Sequence, residues 1–183
     1  MLISIWNGQW AEYRAEFIIM IYRSGLGYDV HAFKEGRKMI LGGVEFESSF
    51  GLDGHSDADV LVHAIADACL GAMGLQDIGH FFPNDDMKWK DVSSLVFLKE
   101  ISQKCNEIGA KIVNIDSTLV AEVPKINPRV EEMKTSIAQS LDIPVSRIGI
   151  KATTNELMGF VGRKEGIAAL AVASLRMDRE SID

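Results

Sequence analysis

Asp29-Val30-His31 sets a carboxylate and an imidazole two residues apart in a stretch that reads as a β-strand. Alternate strand residues share a face, so the two side chains lie side by side and make half of a metal site. The other half is in GLDGHSDADVLVHAIADACLGAMG, residues 51–74. There Ser56 reads as an N-cap and Asp59, three residues on, as the acidic member of a capping box. The helix that follows puts Ser56, Asp59, His63 and Asp67 on one stripe and Leu61, Ala64, Ile65, Ala68 and Ala72 on an apolar face, so that His63 reaches outward. Two imidazole nitrogens and a carboxylate oxygen from Asp29, His31 and His63 suit zinc, with the fourth tetrahedral position open to water or a substrate oxygen. The competing reading is structural: His31 ends a strand in a hydrogen bond, and His63 pairs with Asp59 or Asp67 at i,i+4 spacing. Spacing alone leaves both open.

A second constellation is Lys151-Ala-Thr-Thr-Asn-Glu156, after another strand. Hydroxyls and backbone N–H groups suit phosphate oxygens, and a lone carboxylate beside phosphates suits magnesium. A solvated strand end is the plain alternative. Pro124-Lys125-Ile126-Asn127 brings a cation to a helix start, to meet an anion or water. His55 sits at the mouth of the His63 helix, where the positive dipole end and Ser56 can jointly receive a phosphate; otherwise it is a capping-region histidine facing water. His80 reads as a surface or packing residue, and Arg163 with Glu165 as an ion pair in a glycine-rich turn. Gly25-Leu26-Gly27 lacks the rest of a dinucleotide fingerprint.

These residues need a scaffold, and 183 residues suffice for one compact domain. Residues 1–19 have no basic segment leading into an apolar core and cleavage site, so they read as an extension of unassigned role before a domain spanning 20–183. No run reaches the roughly 20 apolar residues of a membrane span. A net charge of −7 argues against nucleic-acid or anionic-membrane partners; an anionic ligand would need local cations, helix N-termini or metals. Cys69 and Cys105 make no disulfide framework and fit packed thiols in a reducing cytoplasm.

Strands are expected over Ser24–Ala32 and Lys38–Phe46, the latter bending at Gly42-Gly43, with loop from Glu47 to Gly54. A long polar and aromatic loop follows Gly74. Ser94–Ile108 reads as a helix stopped by Gly109. In the strand Lys111–Glu122, Val113, Ile115, Ser117 and Leu119 share a face. Asn127 and Pro128 open a helix through Leu141 with the stripe Val130, Met133, Ile137 and Leu141, and Arg147–Thr154 is a strand. The final GIAALAVASLRM permits helix or buried strand.

Taken together, GYDVHAF (27–33), LGGVEF (41–46), HSDADVLVHAIADACLGA (55–72), DIGHFFP (77–83), PKINP (124–128) and KATTNELMGFVGRKEGIA (151–168) resemble the 2-C-methyl-D-erythritol 2,4-cyclodiphosphate synthase family of the non-mevalonate isoprenoid pathway. The resemblance runs from about Met20 to the C-terminus. It implies an α+β domain with a mainly β face and helices packed against it. It also implies a homotrimer with sheets facing the trimer axis and active sites between subunits, and makes the final segment a strand. Asp29, His31 and His63 then bind zinc, and Glu156 magnesium or manganese.

The implied reaction is that of a phosphorus-oxygen lyase. The 2-phosphate of 4-diphosphocytidyl-2-C-methyl-D-erythritol 2-phosphate attacks its own β-phosphorus, the ring closes and CMP leaves. By matching position His55 and Thr154 steady the transition state, and Ser56, Asp77, Ile78, Gly79, Phe82, Asp85 and Asp86 hold the methylerythritol phosphate. Ala121, Pro124, Lys125 and Ile126, with Ala152 and Thr153, form the cytidine and diphosphate pocket. Phe160 and Arg163 match positions facing a central cavity suited to an isoprenoid diphosphate. Asn84 departs from the family's usual acidic residue. The implied location is the cytoplasm, or the plastid stroma in a plastid-bearing organism. A zinc-dependent phosphohydrolase and a non-enzymatic isoprenoid-phosphate binding trimer are the rival functions. Neither accounts for Lys125, Thr153, Thr154 and Glu156 together.

Overall fold

The structure, a computed structural model, describes residues 2–4, 10–12 and 20–178. Near the start, β1 (Leu2–Ser4) pairs antiparallel with β2 (Trp10–Glu12); whether residues 1–19 form an extension falls outside what the described residues decide. The chain continues through β3 (Met20–Glu35), β4 (Met39–Leu41), β5 (Val44–Phe46), β6 (Phe50–Leu52), α1 (Val60–Met73), α2 (Ile78–Phe81) and α3 (Leu95–Glu107). It ends with β7 (Lys111–Val120), α4 (Val130–Leu141), β8 (Ile148–Thr153), α5 (Gly159–Gly162) and β9 (Gly166–Asp178). Five strands form one sheet in the order β6-β3-β9-β7-β8, antiparallel except for β7 beside β8, and β4-β5 is a separate hairpin. This is the expected α+β architecture, with α1 laid on β3 and β9. Among the described residues, no helix is long and apolar enough to cross a membrane.

Strand β3 organises the domain through its alternation. Gly25, Gly27, Asp29 and His31 face α1, whereas Leu26, Tyr28 and Val30 point the other way and are 68%, 52% and 42% exposed. The glycines let the helix backbone come unusually close. A Cβ on Gly25 would lie 2.1 Å from the Ala68 carbonyl oxygen, and one on Gly27 only 1.9 Å from that of Ala64. On the outer face Leu26 lies opposite Val172 and Tyr28 opposite Leu170, both of β9 and both substantially exposed. One sheet face is therefore covered by helices and the other is apolar and open.

The final segment is strand β9, paired with β3 from Met20 opposite Asp178 to Ala32 opposite Gly166. Its small residues serve a central strand between two neighbours, and Ala169, Ala171 and Ala173 are buried. Cys69 and Cys105 are free, buried thiols, and burial pushes Cys105 up to about 11.

Five expectations are corrected. Residues 50–52, expected as loop, form β6 against the end of β3. Helix α1 is buried on nearly every side rather than on one stripe, because sheet and helices surround it. A register shift between Ile112 and Asn114 places Ile112 inside and leaves Val113 37% exposed. Asn127–Arg129 is a 3-10 turn, and α4 begins at Val130. The stretch after Gly74 is not loop alone: it contains α2, a 3-10 turn at Met87–Trp89, and buried Phe82 and Trp89 packed against Phe97 of α3.

Candidate active site

Because β3 brings Asp29 and His31 to the helix side and the glycines seat α1 closely, His63 meets both. Asp29 Oδ2 lies 3.0 Å from His31 Nε2 and 3.1 Å from His63 Nδ1, and the two nitrogens are 3.1 Å apart. These three atoms form a near-equilateral triangle. Tetrahedral zinc with bonds of about 2.0–2.1 Å spaces its ligand atoms roughly 3.3 Å apart, so the donor set needs only a slight widening to hold such an ion. The outer nitrogens are also held. His31 Nδ1 lies 2.6 Å from the Asp53 carbonyl oxygen, and His63 Nε2 lies 2.8 Å from Ser94 Oγ and 3.2 Å from Ser56 Oγ. His63 further stacks on Phe97, ring centres 5.9 Å apart.

Burial opposes ionisation of Asp29, but hydrogen bonds and charge from His31 and His63 outweigh it and hold the carboxyl well below the usual carboxylate range. Burial likewise opposes charge on His31, yet Asp29 and the Asp53 carbonyl raise its affinity for a proton above the ordinary histidine value. A cation seated in the triad would compete with that proton for the His31 nitrogen.

The expected capping box is corrected. Asp59, fully buried, is itself the N-cap, accepting from the Val62 N–H at 3.1 Å. It also accepts from the N–H groups of Gly42 at 3.0 Å and Gly43 at 2.6 Å, which ties the β4-β5 hairpin to α1. Ser56 lies outside the helix, its hydroxyl accepting from Ala58 N–H and touching His63 and Ser94. His55 is therefore not at the helix mouth; its Nε2 donates to the Asp86 carbonyl at 3.0 Å.

The triad opens on a cavity of about 300 Å³ that His55, Ser56, Ile78, Gly79 and Phe82 also line. Asn84, Trp89 and Phe97 complete its wall. Asp77 caps α2, with the His80 N–H 3.1 Å from its carboxylate, and Asp67 of α1 accepts from Ile78 N–H at 2.8 Å, which fixes this segment. Asp85 and Asp86 are exposed and lie outside the cavity wall; the Asp86 carboxylate accepts from Lys88 N–H.

Ala121, Pro124, Lys125, Ile126, Ala152, Thr153 and Thr154 line a different cavity, of about 400 Å³. Just beyond it, Thr154 Oγ1 donates to Glu156 Oε1 at 2.8 Å. Glu156 and Leu157 have φ of +49° and +61°, and the Glu122 carboxylate holds this bend by accepting from the N–H groups of Asn155 and Leu157. Lys151 pairs with Asp116. Phe160, in α5, and Arg163, paired with Glu165 at 2.7 Å, lie in neither cavity wall. A single chain thus completes the metal triad but does not bring Thr154 and Glu156 into its cavity. Sequence reasoning missed Gly54, Trp89 and Phe97 of the wall; only the aromatic content of residues 81–97 hinted at the last two.

The chain belongs to the YgbB family, whose model matches residues 22–176. Within that family it is 54% identical over 156 residues to the 2-C-methyl-D-erythritol 2,4-cyclodiphosphate synthase of Cytophaga hutchinsonii, covering 85% of this chain and 98% of that one. Its fold matches the bifunctional IspDF of Campylobacter jejuni with a TM-score of 0.83 and 44% identity, over 87% of this chain and 43% of that longer one. IspF of Plasmodium falciparum, solved as a CDP complex, matches at a TM-score of 0.74 and 34% identity, over 84% of this chain and 95% of that one.

Proposed function

We propose that the protein converts 4-diphosphocytidyl-2-C-methyl-D-erythritol 2-phosphate to 2-C-methyl-D-erythritol 2,4-cyclodiphosphate, releasing CMP. The observation that carries the reading is the triangle of Asp29, His31 and His63 donor atoms opening on the cavity shared with His55 and Gly79. The relatives named as synthases and the CDP-bound neighbour support it. Asp29, His31 and His63 hold zinc, and Glu156, an exposed oxygen ligand beside the Thr154 hydroxyl, suits magnesium or manganese. Bound there, the two cations supply positive charge to phosphoryl oxygens during ring closure.

The chain's own residues position the substrate. His55 and the Ile78–Phe82 segment, with Ser56 and Asp77 behind it and Asp85 and Asp86 at its rim, receive the methylerythritol phosphate. Ala121 to Ile126 with Ala152 and Thr153 receive the cytidine diphosphate portion, and Thr154 donates to the transferring phosphoryl group. Holding attacking and leaving oxygens in line requires no protein nucleophile.

The two cavities of one chain serve one substrate when a neighbouring subunit supplies the second. A homotrimer with its sheets toward the axis covers the open apolar face of Leu26, Tyr28, Val30, Leu170 and Val172. Phe160 and Arg163 then face the central cavity as contacts for an isoprenoid diphosphate; unchanged melting and activity on adding geranyl diphosphate refutes that assignment. Residues 20–183 form the synthase domain, in line with the family match beginning at residue 22, and residues 1–19 precede it. The setting is a reducing cytoplasm or plastid stroma.

Phosphorus NMR of the protein with substrate, zinc and magnesium tests the reading. Cyclic diphosphate and CMP should appear together and vanish on chelation and in His63→Ala. CMP without the ring means hydrolysis, and no turnover by a metal-loaded protein means a binding protein.

A further inference from the structure

The His63 nitrogen that faces away from the triad sits on a buried polar chain with one consistent arrangement of protons. Ser94, fully buried, stands 2.8 Å from His63 Nε2. Its hydroxyl lies 2.5 Å from Asp57 Oδ1, and its own N–H donates to Asp57 Oδ2 at 3.0 Å, so the Asp57 carboxylate grips both donors of the residue. A hydroxyl carries one hydrogen and a carboxylate offers none, so the Ser94 proton goes to Asp57. Ser94 Oγ can then only accept. His63 Nε2 must carry a hydrogen directed at it, and Ser56 Oγ, 3.2 Å from Ser94 Oγ, donates into the remaining lone pair while accepting from Ala58 N–H. In the opposite tautomer the Nε2 and Ser94 lone pairs would face each other at 2.8 Å in a buried site.

We infer that Asp57 and Ser94 are positioning residues that lock His63 as the Nε2–H tautomer, so that its Nδ1 lone pair is presented to the metal triad. The inference deepens the zinc reading and rests on it. The Asp57 end is anchored independently of the triad: Asp57 N–H donates to the Val92 carbonyl at 3.0 Å, and Oδ1 accepts from Asp59 N–H at 3.2 Å. The chain of bonds joins the segment before α1 to the first residue before α3. The separation of these helices and the tautomer of the ligand are thus set by the same contacts.

Two near-isosteric changes divide the chain. Ser94→Ala removes the acceptor. Asp57→Asn lets an amide donate to Ser94 Oγ, which frees the Ser94 proton to turn toward Nε2 and places the hydrogen of His63 on Nδ1. Nitrogen-15 shifts of His63 are read in metal-free protein, and zinc affinity by competition with a chromophoric chelator. Metal-free wild type should show His63 protonated on Nε2. Each variant should bind zinc about 10–100-fold more weakly. In the double variant Asp57→Asn should add less than about twofold, because its effect passes through Ser94. Rescue in Ser94→Thr, which keeps the hydroxyl, gives a readout that a purely structural role would not. His63 protonated only on Nδ1 in metal-free wild type overturns the inference whether or not a variant folds. So do unchanged zinc affinities or additive losses. Failure of the wild type to bind zinc would instead remove the zinc reading, while the nitrogen shifts still report the tautomer.

Discussion

Replacing Gly27 by alanine tests whether the close seating of α1 on β3 is what builds the metal triad. The added Cβ would stand 1.9 Å from the Ala64 carbonyl oxygen and 2.8 Å from the Ala68 nitrogen, both backbone atoms that cannot swing away. Reaching a separation of 3.0 Å, below which such contacts essentially never occur, requires α1 to rise by 3.0 − 1.9, or about 1.1 Å. His63 immediately precedes Ala64, so its 3.1 Å approach to Asp29 would open by a similar amount, to roughly 4.2 Å. That exceeds the spacing of roughly 3.3 Å that tetrahedral zinc demands. Overpacking by one methyl costs about 1–3 kcal/mol where side chains can adjust; a backbone contact belongs at the upper end. For a domain of this size, about 3 kcal/mol corresponds to a melting temperature roughly 6–12 °C lower. Metal-free melting followed by circular dichroism, with zinc affinity measured separately, reads both effects. Gly25→Ala is the control: its Cβ would meet Ala68 at 2.1 Å, one turn farther from His63, so it should destabilise similarly with a smaller loss of zinc affinity. A Gly27→Ala protein melting within about 2 °C of wild type, with zinc affinity unchanged within about twofold, would refute the reasoning.

The remaining predictions concern protons and assembly. Burial, reinforced by the Asp57 charge, pushes the Asp59 carboxyl up from 3.8 to about 6. Its stabilising contribution is therefore full below about pH 4 and lost as pH rises through about 6, by up to about 3 kcal/mol. Urea unfolding of wild type and Asp59→Asn should show the wild-type advantage shrinking over that range, and a constant or growing advantage would count against it. Because Asp29 raises His31, the metal-free fold gains stability from that proton at low pH and loses it as pH rises through the raised value; zinc shows the opposite trend. Chelator competition should find zinc affinity falling about tenfold per pH unit below that value, and a flat profile would contradict it. Leu26→Glu with Val172→Glu puts two carboxylates opposite each other on the outer sheet face. The variant should sediment as a monomer, bind zinc normally and lose cyclisation; a persistent trimer would disprove the assignment of that face.

Asp29 and His31 are legible because the strand period puts both on one face of β3, and His63 meets them because α1 packs on that face, although α1 is buried on nearly every side. The helix start was misread for a tertiary reason. Ser56-x-x-Asp59 has the spacing of a capping box, but Asp59 caps the helix while its two oxygens also serve Gly42 and Gly43, a hairpin 16 and 17 residues away. Strand β6 was invisible because three residues carry no periodicity and its pairing partner is the far end of β3. Unbroken alternation sets Val113 on the face of Ile115, and a bulge between Ile112 and Asn114 interrupts it. The last strand was settled by resemblance, since a central strand of alanines has the composition of a helix. Thr154 and Glu156 suit phosphate and metal partners by residue type, yet the cavity beside them is not the triad's. Periodicity along the chain says nothing of which cavities share a substrate.

The alternation of β3 has a consequence for how such a protein can vary. Odd-numbered positions from 25 to 31 seat the helix and carry two members of the candidate metal triad, while even-numbered positions from 26 to 30 form the bare apolar surface. Inserting or deleting one residue ahead of Asp29 would not shift the two functions gradually; it would exchange the sides of the strand and abolish both. Point substitutions can adjust the triad and the outer apolar face separately, but length changes here cannot. The tolerance of this strand to insertions should therefore be near zero even where neighbouring loops accept them freely.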